Sequence, residues 1–508
     1  MAFRPLIAIC GTTGVGKSKL AIEIAHTLSS TASEIKTSWT GAKIINADAM
    51  QVYAGMDILT NKVPLAERQG IDHLLMGFKL PTEQYVVGEW VRDALNAVQE
   101  AHTQNQVPIV VGGTSYWIQH LLFPDRLVRD MTSIPASDQT DIHPSSSVSI
   151  SDDMAKAITS LAPDLLDLFH SLPDSAPSAD ADPEAAYALY NLLKVLDVAV
   201  AERWHWKDSR KVLRSLRIIQ DTGRRPSEMI EQQSQNRVKP RFNTLCFWVY
   251  AKPDILKPRL DSRVDMMVKQ GLLDEVRVLQ KLTASAPEGK SGSDYTFGMF
   301  QSIGYRELHR YLTLSSPTDR DFDNALNRMK ISTRQYAKSQ TSWLRNKLLP
   351  ALYNSNMDCD EKNKSRTYLL DATELGDKWE TNVRRPAINI TQGFLNDDPL
   401  PDPLSLSEAA NMMLQIEQKA TDPKEVLKAR RKVHCDVCTM DPDQPVMVEA
   451  GKEWDLHLKT RAHRRRANKK DQSSRIQFHR ENSKERDSNC TTNSSESEID
   501  VSTDVLTR

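Results

Sequence analysis

Short apolar runs alternate with amphipathic stretches through the first part of the chain. Leu6-Ile7-Ala8-Ile9-Cys10 predicts a buried strand, and Lys19 to Ala25 opens a helix with apolar residues at helical spacing. Ala42 to Asp48 predicts a second strand that ends in a carboxylate. Glu83 to Gln104 carries Val87, Trp90, Val91, Ala94 and Val98 at helical spacing, and Val107 to Thr114 follows as a strand and turn. This alternation predicts an α/β fold with a parallel, doubly wound sheet, where ligands collect at the carboxyl ends of the strands. From Pro124 the pattern changes. Met131 to Ser151 and Leu172 to Pro183 are rich in Ser, Asp and Pro and read as mobile loops around helices at Ala155 to His170 and Glu184 to Asp221. The core pattern returns with a strand at Thr244 to Tyr250 and long helices at Lys257 to Leu282 and Asp321 to Leu348.

At 508 residues the chain exceeds what one hydrophobic core serves. The reading divides it into a catalytic core over 1–123 and 227–380, a helical insertion over 124–226 and a linker over 381–424. A small Cys/His module over 425–470 and a disordered tail over 471–508 complete it. The net charge of −1 supplies no global attraction to nucleic acid, so any such attraction is local. Six scattered cysteines do not make a secreted disulfide scaffold, and no apolar run reaches signal-peptide or membrane-spanning length. A soluble, monomeric, cytoplasmic protein is expected, with mitochondrial and nuclear pools left open.

Candidate chemistry starts at Gly11-Thr12-Thr13-Gly14-Val15-Gly16-Lys17-Ser18, which fits the phosphate-cradling spacing G-x-x-x-x-G-K-[ST] between a strand and a helix. Glycines let the backbone turn N–H groups toward an anion, and the helix N-terminus adds partial positive charge. Lys17 would neutralise terminal phosphates, and the Ser18 hydroxyl would serve a magnesium ion. A phosphate or diphosphate compound is expected here. Taken alone, the loop also suits a nucleotide kinase, with Asp48 as a magnesium-holding carboxylate.

Further blocks narrow this. Asp48-Ala49-Met50-Gln51-Val52-Tyr53, Gly112-Gly113-Thr114, Arg259 to Val264, Gln301-Ser302-Ile303-Gly304-Tyr305-Arg306 and Arg334-Gln335-Tyr336-Ala337-Lys338-Ser339-Gln340-Thr341-Ser342-Trp343-Leu344-Arg345 occur in order. Together with the phosphate loop they resemble the tRNA dimethylallyltransferases, from about Ile7 to Arg345. The resemblance implies transfer of a five-carbon prenyl group from dimethylallyl diphosphate to N6 of the adenosine just 3′ of a tRNA anticodon. It implies Asp48 as general base, Thr114 as the group positioning the same amine, and Arg263 on the diphosphate. It further implies an anticodon-contacting surface of Asp48, Ala49, Met50, Gln51, Arg210, Lys211, Arg214, Gln301, Gly304, Tyr305 and Arg306. Basic stripes on two helices, Arg210-Lys211-Arg214-Arg217 and Lys330-Arg334-Lys338-Arg345, are read as RNA-facing. The competing acceptor is a free adenosine nucleotide, as in the related cytokinin-forming enzymes.

The spacing Cys435-x2-Cys438-x18-His457-x5-His463 suits tetrahedral zinc. Trp454 and Leu458 are the expected core of this finger, and Arg464, Arg465, Arg466, Lys469 and Lys470 follow without an intervening acid. The pattern resembles fingers that grip double-stranded RNA by shape, and the eukaryotic members of the family carry such a segment.

Overall fold

The structure, a computed structural model, describes residues 4–30, 39–124, 152–235, 239–284, 295, 298–356, 364–416 and 431–469. The chain divides into two compact units, Met1–Ile142 with Gln233–Thr421, and His143–Gln232 with Asp422–Arg508.

The first unit is built on six parallel strands: β1 (Pro5–Gly11), β2 (Gly41–Asn46), β3 (His73–Leu74), β4 (Gln106–Val111), β5 (Asn243–Tyr250) and β6 (Arg366–Asp371), in the order β3-β2-β4-β1-β5-β6. Period-2 alternation sorts each strand between two cores. Leu6, Ala8 and Cys10 enter one apolar cluster, whereas Ile7 and Ile9 enter the other across the sheet. β1, β4 and β2 are neighbours, so the segments leaving their carboxyl ends meet along one edge: the phosphate loop, the Gly112-Gly113 turn and Asp48.

The long helix expected at Lys257 to Leu282 is two helices, Pro253–Lys269 and Leu272–Ala284. They are separated at Gly271, whose φ of 105° lies where other residues are strained. Asp319–Trp343 is one helix, continued by a wider π-type turn over Leu344–Leu348. Much of the stretch read as a linker is core. The Arg385–Asn396 helix buries Ala387, Ile390, Phe394 and Leu395 against one sheet face, and Glu408–Leu414 buries Ala409, Ala410 and Leu414 on the other. Prolines at 399, 401 and 403 suggested a linker, but Tyr368 Oη anchors that segment by donating to the Pro401 carbonyl at 2.9 Å.

The second unit joins the insertion to the Cys/His module. Its helices Pro183–Leu196 and Ser209–Thr222 enclose Leu189, Leu193, Trp206, Val212 and Leu216. The Leu172 to Pro183 segment, read as mobile, packs Ala176 and Ala179 onto this core. Arg217 fixes it by donating to the Pro173 and Asp174 carbonyls, both at 2.8 Å, which takes that residue out of the expected RNA-facing stripe. The module is seated on the insertion as well. Trp206 Nε1 donates to the Pro445 carbonyl at 2.8 Å, the Lys432 amide donates to the Glu202 carbonyl at 2.6 Å, and Arg431 pairs with the Glu202 carboxylate at 2.8 Å. The loop expected at Met131 to Ser151 and the tail beyond residue 470 lie outside the described residues.

Candidate active site

Asp48 comes directly off β2. Its amide donates to Asn46 Oδ1 at 3.1 Å, and its Oδ1 accepts from the Met50 amide at 2.9 Å, a side-chain-closed turn. The other oxygen, Oδ2, faces the Gly112-Gly113 turn; a Cβ on Gly113 would lie 3.4 Å from it. Glycine is required at position 112, and at 113 any side chain would displace Gln340. A Cβ on Gly112 would come within 2.1 Å of the Ala47 carbonyl oxygen, and one on Gly113 within 2.4 Å of Gln340 Nε2.

Thr114 stands at the N-cap of the Ser115–Leu122 helix, yet its side chain makes no cap bond. Its Oγ1 accepts from the Ala49 amide at 3.0 Å, while the Thr114 amide donates to the Ala47 carbonyl at 3.1 Å. These bonds hold the Thr114 hydroxyl beside the backbone that carries Asp48.

On the other side of the cleft, Lys17 Nζ donates to the Thr12 carbonyl at 2.8 Å, and Arg263 Nη1 donates to Thr13 Oγ1 at 2.8 Å. Burial pulls the Lys17 pKa down to about 8, opposed by the attraction of Asp48 and reinforced by Arg263. Burial lowers the Arg263 pKa too, with Asp48 again opposing. Two partly desolvated cations facing one carboxylate leave excess positive potential, which a polyanion would relieve. Gly16, at φ 90°, passes under the Trp379 ring, where a Cβ would sit 2.6 Å from a ring carbon. Trp379 is itself held by Nε1 donating to the Glu23 carboxylate at 2.9 Å. Of the loop hydroxyls, those of Thr12 and Ser18 have no hydrogen-bond partner among the described residues; Thr12 Oγ1 is buried, whereas Ser18 is half-buried at the start of the helix and available to a cation.

The two sides are joined through the Asp319–Trp343 helix. Gln340, almost fully buried, accepts from the Thr13 amide at 2.9 Å and donates through Nε2 to the Gly113 carbonyl at 3.0 Å. One turn earlier, the Tyr336 hydroxyl reaches the Thr114 and Gln340 side chains, while 39% of the residue stays exposed; desolvation at the hydroxyl end and the Asp48 charge push its pKa up. Replacing Gln340 with Met, of similar shape but without the amide, is expected to lower kcat about 10-fold and to cost about 1–3 kcal/mol of stability, because the Thr13 amide and the Gly113 carbonyl lose their partner. Melting curves beside initial rates check both effects. Neither Gln340 nor Tyr336 was singled out from the sequence, though both lie in a quoted motif. Trp379 lies beyond β6, where no pattern marks it.

The expected RNA-contacting residues fall into two groups. Gln51 donates to the Thr60 and Asn61 carbonyls at 3.1 and 3.2 Å, and Gln301 to the Gly298 carbonyl at 2.9 Å. Tyr305 is fully buried with its ring stacked on His309, so it acts from the core. Arg210, Lys211 and Arg306 are exposed; Lys211 also pairs with Asp208 at 3.3 Å and lies over the Trp204 ring. Arg214 occupies the same Ser209–Thr222 helix. In the other stripe, Lys330 pairs with Asp265 at 2.6 Å and Arg334 with Asp261 at 2.5 Å, so those two cations serve helix packing.

In the second unit the ligand atoms of Cys435, Cys438, His457 and His463 all lie within 4.8 Å of one another. Both sulfurs approach His463 Nδ1, at 3.4 and 3.5 Å, and His457 Nε2 is buried without a partner. An orphaned imidazole nitrogen facing two thiols is the donor set that tetrahedral zinc satisfies. Leu458, expected in the finger's core, is exposed. Chelating the metal should therefore unfold the module, because zinc binding and finger folding are coupled by about 10 kcal/mol or more. Proteolysis confined to 431–469 after chelation, reversed by added zinc, would show it; unchanged resistance would exclude a structural metal.

Among the described residues no helix is long and apolar enough to cross a membrane. A family model described as IPP transferase matches residues 51–347. The tRNA dimethylallyltransferase of Schizosaccharomyces pombe is 33% identical over 490 residues, covering 94% of this chain and 98% of that protein. The Saccharomyces cerevisiae protein of the same name is 31% identical, covering 91% of each. Among solved structures, a eukaryotic dimethylallyltransferase described as acting on tRNA superposes with a TM-score of 0.70 at 29% identity, covering 94% of this chain and all of that one. With the phosphate loop, the Asp48 turn and the Arg263 helix converging on one cleft, these matches establish that the chain belongs to the IPP transferase family, among the tRNA dimethylallyltransferases.

Proposed function

We propose that this protein transfers the dimethylallyl group of dimethylallyl diphosphate to the exocyclic N6 of an adenosine next to a tRNA anticodon. The observation that carries the reading is one site with a carboxylate and a hydroxyl on one side and two half-buried cations on the other. A base inside an RNA loop must be everted to enter such a cleft. Its N6 attacks the prenyl carbon: the C–N bond forms, the C–O bond to diphosphate breaks, and the N6 proton passes to Asp48. Thr114 orients the amine. Lys17, Arg263 and the loop amides up to Ser18 receive the negative charge that develops on the departing diphosphate. Ser18 is the residue that would hold a magnesium ion, which would neutralise part of the same charge.

The test offers the full chain dimethylallyl diphosphate with either an anticodon stem-loop or AMP, followed by mass analysis of nucleosides. Isopentenyladenosine from the stem-loop alone is expected. Equal or faster prenylation of AMP would transfer the reading to a free-nucleotide acceptor, and phosphoryl transfer from ATP would transfer it to a kinase. The comparisons favour neither alternative.

A further inference from the structure

Outside the cleft, the helices Tyr305–Leu312 and Asp319–Trp343 border an open cavity of about 190 Å³ lined by Arg306, Glu307, Arg310, Arg328, Ile331 and Ser332. Three guanidinium groups and one carboxylate meet there, and the carboxylate is already engaged. Glu307 is buried, accepts from the Gly304 amide at 2.9 Å and the Ser332 hydroxyl at 3.0 Å, and pairs with Arg306 at 3.2 Å. Arg310 lies over the Tyr295 ring at 5.6 Å, and Arg328 Nε reaches only the Asn324 carbonyl, at 3.3 Å. Among the described residues neither forms a salt bridge, although the Asp321 carboxylate lies close enough to feel Arg328. The contrast with the same helix is informative, since Lys330 and Arg334 are both neutralised by aspartates while the cavity's arginines are left with excess charge.

We propose that Arg310 and Arg328, with Arg306, clamp a phosphate of the RNA backbone. Guanidinium forks suit phosphate oxygens geometrically as well as electrically. Arg328 is twelve residues before Gln340 on one helix, which at 1.5 Å per residue places it about 18 Å from the reaction cleft. That is a span of a few nucleotides, so the clamp would grip the stem-loop at a distance from the everted base and set how far it enters. The inference rests on the RNA-acceptor reading above.

The experiment measures stem-loop binding against salt concentration, and turnover, for the full-length protein and for Arg310→Gln, Arg328→Gln and the double variant. Arg320→Gln, at the start of the same helix and outside the cavity, is the control for general loss of charge. The double variant should bind the stem-loop about tenfold more weakly near 0.15 M salt. The slope of log affinity against log salt should become shallower by about one per arginine removed. The KM for RNA should rise while the KM for dimethylallyl diphosphate stays put. Unchanged slopes, slopes that fall equally in Arg320→Gln, or a raised donor KM would each overturn the clamp. If the site instead takes a free anion, millimolar inorganic phosphate would alter wild-type turnover but not that of the double variant, with equal RNA affinity in both; this too would overturn it. Wild-type protein failing to prenylate the stem-loop in the same assay would count against the acceptor reading instead.

Discussion

Asp48→Asn lowers kcat for stem-loop prenylation by about 10² to 10⁴-fold, the range for removing a positioned general base, and leaves both KM values within a few-fold. The separation of effects follows from the turn. Asparagine keeps the Oδ1 that accepts from the Met50 amide and the backbone bonds that place residue 48, so the cleft retains its shape. What is lost is the proton acceptor facing Gly113. Initial rates under saturating donor and RNA check this, with single-turnover measurements to separate chemistry from release. Wild-type kcat in the variant would remove Asp48 from the chemical step.

Lys17→Ala reduces kcat/KM for dimethylallyl diphosphate by about 10² to 10³-fold, as expected when one preorganised charge contact to a leaving group is removed. It also changes a pH profile. In the free protein the Lys17 pKa is pulled down to about 8, so the ammonium is present below that value and lost above it. Wild-type kcat/KM for the donor should therefore fall as pH rises through about 8. Bound diphosphate holds the proton on, so kcat should stay flat to higher pH. In Lys17→Ala the fall near pH 8 should vanish. A profile unchanged by the substitution would assign the ionisation to another group.

Four of the six strands, and with them the site edge, were legible as short apolar runs, three of them followed by a glycine or a carboxylate; the two edge strands, β3 and β6, were not singled out. The phosphate loop needed only its own spacing and its flanking elements. Other features depend on contacts between distant residues, which periodicity does not register. Gln340 is polar, buried and unremarkable in the helical pattern; its meaning comes from the Thr13 amide 327 positions earlier. The basic stripes are ambiguous for a related reason. A run of cations on one helix face looks alike whether solvent, RNA or a neighbouring helix lies opposite, and Asp261 and Asp265 lie opposite Arg334 and Lys330. Proline spacing misled over 381–424 because the prolines mark only the connector between two helices, Arg385–Asn396 and Glu408–Leu414, whose apolar faces are buried.

The hydrogen bond from Trp206 to Pro445 spans 239 positions of chain. During synthesis the insertion's helices therefore emerge long before the segment that seats on Trp206, which must wait while the last two strands of the sheet are made. A chain terminated before residue 431 would leave Trp206 without Pro445 and Glu202 without Arg431. Deleting the Cys/His module is thus not a clean subtraction: any defect it produces in RNA handling would combine lost contacts with a helical unit left half built.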